Sequence, residues 1–138
     1  MDIRPAKATD FERVWPLMRD FPLGAEPTYA VAERSFASIL AHQGAALLVA
    51  SAGEGIVGYA LVYEQPTLFA DGPSAYVQEL MVDEARRGSG IGGALMAAAE
   101  QWARDRGCRY VRLATSMAEE FYRARGYDQV AAFFKKPL

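Results

Sequence analysis

The chain has 138 residues, 51% of them hydrophobic and 23% charged, with a net charge of -2. That suffices for one domain, residues 1–138, with a core of its own and is too little for two. No apolar run approaches the ~18 residues a membrane span needs, and the basic residues form no run of the kind that grips nucleic acid. The single cysteine, Cys108, has no internal disulfide partner, and the N-terminus lacks a basic segment followed by an apolar one, so a reducing cytoplasm is the expected setting. Charge is divided unevenly: residues 1–85 hold five basic and twelve acidic groups, for -7, and residues 86–138 hold ten basic and five acidic, for +5. The division suits a cationic and an anionic ligand meeting in one cleft, and suits solvated faces that balance by chance equally well.

Residues 2–6 read as a short edge strand ended by Pro5. Thr9 and Glu12 form a capping-box pattern, and Phe11, Val14, Trp15 and Met18 give the following helix an apolar face. Pro16 should kink or shorten it. Phe21-Pro22-Leu23-Gly24 is a break, and a second helix over residues 28–43 should bury Ala32, Phe36, Ile39 and Leu40. Phe21, Leu23, Glu26 and Tyr29, around that break, either bind a ligand or pack. Residues 45–51 and 56–63 are β-rich runs joined by Ala-Gly-Glu-Gly, a hairpin composition. The next loop carries Leu68 and Phe69, which tuck under the sheet, form a lid or meet a second chain.

Residues 75–82 form a strand with apolar residues on both faces, as a covered central strand requires. Val77, Glu79 and Met81 are expected on one side of it. A long helix then turns Ile91, Leu95, Ala98, Ala99 and Trp102 to the sheet and ends at Gly107. Residues 109–114 form the next strand. Ser116 and Glu119 repeat the capping-box pattern before a short helix carrying Phe121 and Tyr122, and residues 127–136 read as a closing strand anchored by Phe133 and Phe134.

Between strand and long helix lie Arg86, Arg87, Gly88, Ser89, Gly90, Ile91, Gly92 and Gly93. The first N–H groups of a helix lack intrahelical partners and sit at the positive end of its dipole, so they attract anions. Glycines let a ligand approach the backbone closely, and Arg86 and Arg87 can clamp phosphate oxygens. Gly88, Gly90 and Gly93 also satisfy G-x-G-x-x-G. A dinucleotide site, however, needs its first glycine directly after the strand and an acid about 20 positions on. Here residues 83–87 intervene, and the next strand runs out at Ala114, Thr115 and Ser116 without an acid. A P-loop fails for want of Lys-Ser or Lys-Thr after the glycines.

The hexapeptide from Arg87 to Gly92, with Glu79-Leu80-Met81-Val82-Asp83 before it and Ala94-Leu95-Met96 after it, resembles the coenzyme A corner of the GNAT N-acetyltransferases. Phe121-Tyr122 and Gly126-Tyr127 are similar to that family's second half-motif. The resemblance spans nearly the whole chain and implies a mixed α/β fold: a mostly antiparallel sheet flanked by helices, in which the central strand and the one after it splay around the cofactor. It implies acetyl-CoA as cofactor, with no metal, and an amine substrate as acceptor, a small molecule or a protein. Leu80, Met81 and Val82 would meet the pantetheine arm with their backbone, and Arg86 to Gly93 the diphosphate. Phe121, Tyr122 and Ser116 would line the channel; Ser116 stands where many relatives have asparagine, which leaves its contact weaker.

Transfer to an amine needs a base for the amine proton, a donor for the oxyanion and an acid for the leaving thiolate. Glu79 is the candidate base, or else a structural carboxylate paired with Arg109 or Arg112. Tyr122 matches the family's proton donor, and a backbone N–H near Met81 the oxyanion donor. A non-catalytic acyl-CoA sensor and a transferase of longer acyl groups are the other readings. His42 is expected to cap or face solvent, and Cys108 to pack in the core. Dimers are common in the family, and Leu68, Phe69, Phe133 and Phe134 are the residues expected at a homodimer interface.

Overall fold

The computed structural model describes residues 1–22 and 26–138, so Leu23 and Gly24 lie outside the described residues. In chain order the elements are β1 (Asp2–Pro5), α1 (Phe11–Arg19), α2 (Tyr29–Ala41), β2 (Ala45–Ala52), β3 (Gly55–Gln65), β4 (Ser74–Val82), α3 (Ile91–Asp105), β5 (Val111–Leu113) and α4 (Glu119–Arg123). Short 3-10 turns precede α1 and follow β4. The five strands form one sheet in sequence order, antiparallel throughout except for the parallel pair β4–β5.

Two apolar layers cover the sheet. On one face α3 lays Ile91, Leu95, Met96, Ala99 and Ala103 against Ala60, Val62, Ala75 and Val77. Leu95 has no solvent exposure, and burying such a side chain stabilises by ~2 kcal/mol. On the other face Phe11, Val14 and Leu17 of α1, with Ala32 and Phe36 of α2, cover Val49, Tyr59, Leu61 and Met81. Leu40, expected inside, is exposed. Phe21 and Tyr29 pack: Tyr29 stands edge-on to Phe11 and Trp15, and its hydroxyl donates to Glu12.

Pro16 is accommodated without ending α1, which runs on to Arg19. The start of α1 is organised by Asp10 rather than by the Thr9–Glu12 box. Asp10 is 2% exposed; its carboxylate accepts the Lys7 N–H at 2.7 Å and receives Arg4 Nη1 and Nη2 at 2.7 and 3.0 Å. The end of α3 is likewise closed. Gly107 takes φ +76°, and the N–H groups of Gly107 and Cys108 donate to the carbonyls of Arg104 and Ala103, a Schellman arrangement. Arg106 stacks over Trp102, donates to Glu64 at 2.7 Å and reaches the Gln43 carbonyl at 2.9 Å.

Two elements depart from expectation. Before α4 the N-cap is Ala118, and Thr115 Oγ1 accepts its N–H at 3.0 Å, so Ser116 does not cap. Residues 127–138 form no strand, and Phe133 and Phe134 are 68% and 89% exposed instead of anchoring a core. The physical reason lies in β5, which is three residues long and offers too short an edge to template a ten-residue strand. Leu68 and Phe69 do not tuck under the sheet; both are exposed.

Because hydrogen bonds from Arg4 and the Lys7 N–H hold the Asp10 carboxyl below its usual range, its contribution is present above the unfolded value near ~4 and is lost as pH falls through the folded value. Asp10→Asn should cost about 2 kcal/mol at pH 7 and flatten the acid limb of stability against pH, read by urea unfolding from pH 7 to pH 3.

Candidate functional site at the split between β4 and β5

The sheet opens at one place. β4 pairs with β5 only from Ala75↔Val111 to Val77↔Leu113, so its backbone from Gln78 to Val82 has no strand on that side. On the β3 side Leu61 pairs with Glu79 and Val62 with Val77, leaving Gln78 as an extra residue. This β-bulge resets the alternation of the strand. Val77 therefore faces α3, while Glu79 and Met81 face the α1–α2 layer with their partners Leu61 and Tyr59. The expectation that Val77, Glu79 and Met81 share a side fails at Val77 for this reason.

Beside the split stands the front of α3. The first intrahelical bond runs from the Ala94 N–H to the Gly90 carbonyl at 3.0 Å, so the N–H groups of Ile91, Gly92 and Gly93 have no helical acceptor. Gly88 and Gly90 take φ +80° and +87°, a left-handed backbone that turns the chain into the helix, and no atom stands within 4 Å of where a Cβ would be on either. Arg86 is exposed. Arg87 folds back, donating to the Val82 carbonyl at 3.3 Å, and Ser89 Oγ donates to the Arg86 carbonyl. The corner presents a concave backbone of free donors with two guanidinium groups at its margin, a donor set that fits a diphosphate.

Phe121 closes the other side. A Cβ on Gly92 would lie 3.2 Å from its ring, a contact tight enough that the ring would have to shift. Tyr122 is buried behind it, edge-on to Phe121 and Tyr127, and burial raises its phenol above the ordinary range while Arg125 draws it partly back. Ser116 is exposed in the loop before α4, beside a cleft of about 430 Å³ shared with Phe121.

Glu79 is held by Tyr59, whose hydroxyl donates to Oε1 at 2.7 Å. Tyr59 is 2% exposed, and burial first and the Glu79 charge second push its phenol far up, so it stays a donor. The arginines proposed as partners are occupied elsewhere: Arg112 donates to Gln65 and lies over Tyr76, and Arg109 runs past Gly72. Glu79 also lines a cleft of about 830 Å³ between α2 and the β3–β4 ribbon, with Arg34, Ser35, Ser38, Tyr63 and Gln78 around it. Glu79 and Tyr122 thus belong to opposite faces of the sheet, with the open edge of β4 between them.

Several residues of this site carried no motif. Tyr59 and Gln78 act through strand register, and the three α2 residues through helical spacing of polar positions. Arg125 sits in the turn after α4, 3.7 Å over the Phe121 ring, with its Nη1 on the Phe121 carbonyl at 2.9 Å; its Nη2 fills the space a Cβ on Gly93 would need. His42 accepts the Gly44 N–H at 2.9 Å, a capping role, and Cys108 is half-buried with its thiol raised by burial. Among the described residues no group of three or more His, Cys, Asp or Glu side chains is placed to hold a metal ion, and no helix is long and apolar enough to cross a membrane.

Residues 11–127 match the acetyltransferase (GNAT) family. The chain belongs to that family. An aminoglycoside N(6')-acetyltransferase type 1 from Klebsiella aerogenes is 32% identical, with 99% of this chain and 96% of that protein covered. In structure the chain is similar to a transcriptional regulator from Bacillus halodurans C-125, 30% identical with a TM-score of 0.91 over 99% of each chain. It also shares its fold with an aminoglycoside N-acetyltransferase in complex with CoA, at 21% identity and a TM-score of 0.84 over 99% of this chain and 95% of that one. The GNAT match ends at Tyr127, where the irregular tail begins.

Tyr59→Phe leaves Glu79 without its hydroxyl donor in a half-buried position. It should lower unfolding stability by about 1–2 kcal/mol in chemical denaturation, whereas Tyr110→Phe, at an exposed tyrosine, should stay within about 0.5 kcal/mol of the parent.

Proposed function

We propose that the protein is an acetyl-CoA-dependent N-acetyltransferase that moves an acetyl group to a primary amine by direct attack in a ternary complex, working in the cytoplasm. The observation that carries this is the side of β4 left without a strand from Gln78 to Val82, where β5 has parted from it, opening beside the free N–H groups of α3. Such a row of donors and acceptors takes an extended, amide-bearing ligand as a strand would, and the helix front takes the diphosphate at that ligand's far end. The aminoglycoside N-acetyltransferase relatives and the CoA-bound fold neighbour support the same reading.

In this reading Leu80, Met81 and Val82 hold the pantetheine arm with their backbone, and Arg86, Arg87, Gly88, Ser89, Gly90, Ile91, Gly92 and Gly93 hold the diphosphate. Ser116 and Phe121 border the channel. When bound, acetyl-CoA supplies an acetyl thioester. Glu79 accepts the amine proton, directly or through water, with Tyr59 fixing the carboxylate that does so. A free backbone N–H of β4 near Met81 donates to the negative charge that develops on the carbonyl oxygen. Tyr122 gives its proton to the departing sulfur. Its raised phenol keeps it protonated at neutral pH and beyond, so the acid remains loaded well into the alkaline range.

Calorimetric titration with acetyl-CoA, with NADH as control, tests the cofactor assignment: binding of the first alone is the expected result, and no binding of acetyl-CoA by folded protein overturns it. Gly90→Glu, which sets a carboxylate at the open corner and forces a side chain onto φ +87°, should abolish that binding. Tyr122→Phe should reduce kcat at least tenfold with acetyl-CoA affinity nearly unchanged. Full turnover by that variant in single-turnover assays, where chemistry limits, would remove Tyr122 from the general-acid role.

A further inference from the structure

The relatives acetylate aminoglycosides, which are polycations, and a pocket for a polycation needs several carboxylates. The cleft beside Glu79 does not have them. Of the twelve acidic residues in positions 1–85 only Glu79 lines it, and one oxygen of that carboxylate already accepts the Tyr59 hydroxyl. The same cleft holds a cation, Arg34, which projects from α2.

Arg34 makes no ion pair within 4 Å among the described residues; the pairs formed are Arg4–Asp10, Arg19–Asp20, Arg106–Glu64 and Arg123–Glu119. Arg34 and Glu79 therefore share a cleft of about 830 Å³ as opposite charges on different walls, α2 and β4, without closing on each other. Two charges of opposite sign carried on different elements, the exposed Arg34 on α2 and Glu79 on β4, complement a ligand that carries both signs, and they penalise one carrying only positive charge. Arginine offers a planar fork of donors that matches a carboxylate or a phosphate in two parallel hydrogen bonds. Ser38, four positions beyond Arg34, lies on the same side of α2, and Ser35 also lines the cleft, so two hydroxyls stand beside the charges.

We infer that the acceptor is a primary amine that also bears an anionic group, its amine seated at Glu79 and its carboxylate or phosphate at Arg34. This rests on the transferase reading above. It distinguishes this chain from the aminoglycoside enzymes it is similar to.

The test measures thiol release from acetyl-CoA with matched acceptors: ω-amino carboxylates of graded chain length against their primary amides, aminoalkyl phosphates against the corresponding amino alcohols, and kanamycin. At least one anionic series should exceed its neutral mates tenfold or more in kcat/KM, chiefly through KM, and the leading series identifies carboxylate or phosphate. Arg34→Glu should erase or invert that ratio, and Arg34→Lys should retain most of it. Calorimetry with acetyl-CoA shows beforehand that both variants are folded. Kanamycin or the neutral mates leading, or a ratio that survives Arg34→Glu, overturns the inference and leaves the transferase reading intact. No thiol release with any amine, from protein that binds acetyl-CoA, removes both.

Discussion

Parallel strands share evenly spaced, slanted hydrogen bonds, and β4 and β5 share them over three residue pairs. Beyond Val77 the two strands part. Buried backbone groups are almost always partnered, so a central strand with one bare side can persist only where a ligand or water reaches it. The parting is held by local chemistry. Past Leu113 the chain leaves the sheet, Thr115 Oγ1 accepts the Ala118 N–H to begin α4, and α4 wedges Phe121 against Gly92. At the same level Gln78 is the extra residue of the bulge. One position therefore both opens the sheet on the β5 side and turns Glu79 toward the α1–α2 cleft on the β3 side.

That coincidence gives the site two approaches. In the proposed reading the open edge and the front of α3, with Arg86 and Arg87 at its margin, receive the anionic cofactor, and the cleft under α2 receives the acceptor on the other face. Tyr122 lies in the α3 layer, and Glu79 stands on the opposite face beside Leu61 and Tyr59. They can act on one reaction only through what occupies the gap between them. The imbalance of charge along the sequence is consistent with this division on its basic side and misleading on its acidic side, since Glu79 alone of the early acids reaches the cleft.

How much of this the sequence revealed depends on the physics behind each feature. The corner was legible because positive φ and close approach select glycine, and Gly88 and Gly90 do adopt left-handed backbone. The helices and the hairpin were legible from periodicity, to within a residue or two at most ends. The bulge was not, since a single inserted residue leaves the composition of a strand unchanged while reversing every side chain beyond it. Tyr59 and Arg34 were invisible for a related reason: each matters through a neighbour distant in sequence. Residues 127–136 show the opposite failure, a β-prone composition with no edge long enough to receive it.

The far end of α3 bears on how the near end works. Arg106 ties that end to Glu64 of β3 and to the carbonyl of Gln43, stacks on Trp102, and sits beside the Schellman closure at Gly107. The helix is thus moored at its tail to two other elements, and at its head Ile91 is buried against the sheet while Phe121 and Arg125 pack on Gly92 and Gly93, leaving its first N–H groups as free donors. A ligand proposed at that head would meet amides whose direction is set by the folded helix, which lowers the ordering that association has to supply. In the proposed reading the ordering of the corner belongs to folding, and recognition there is docking onto a formed surface rather than assembly of one.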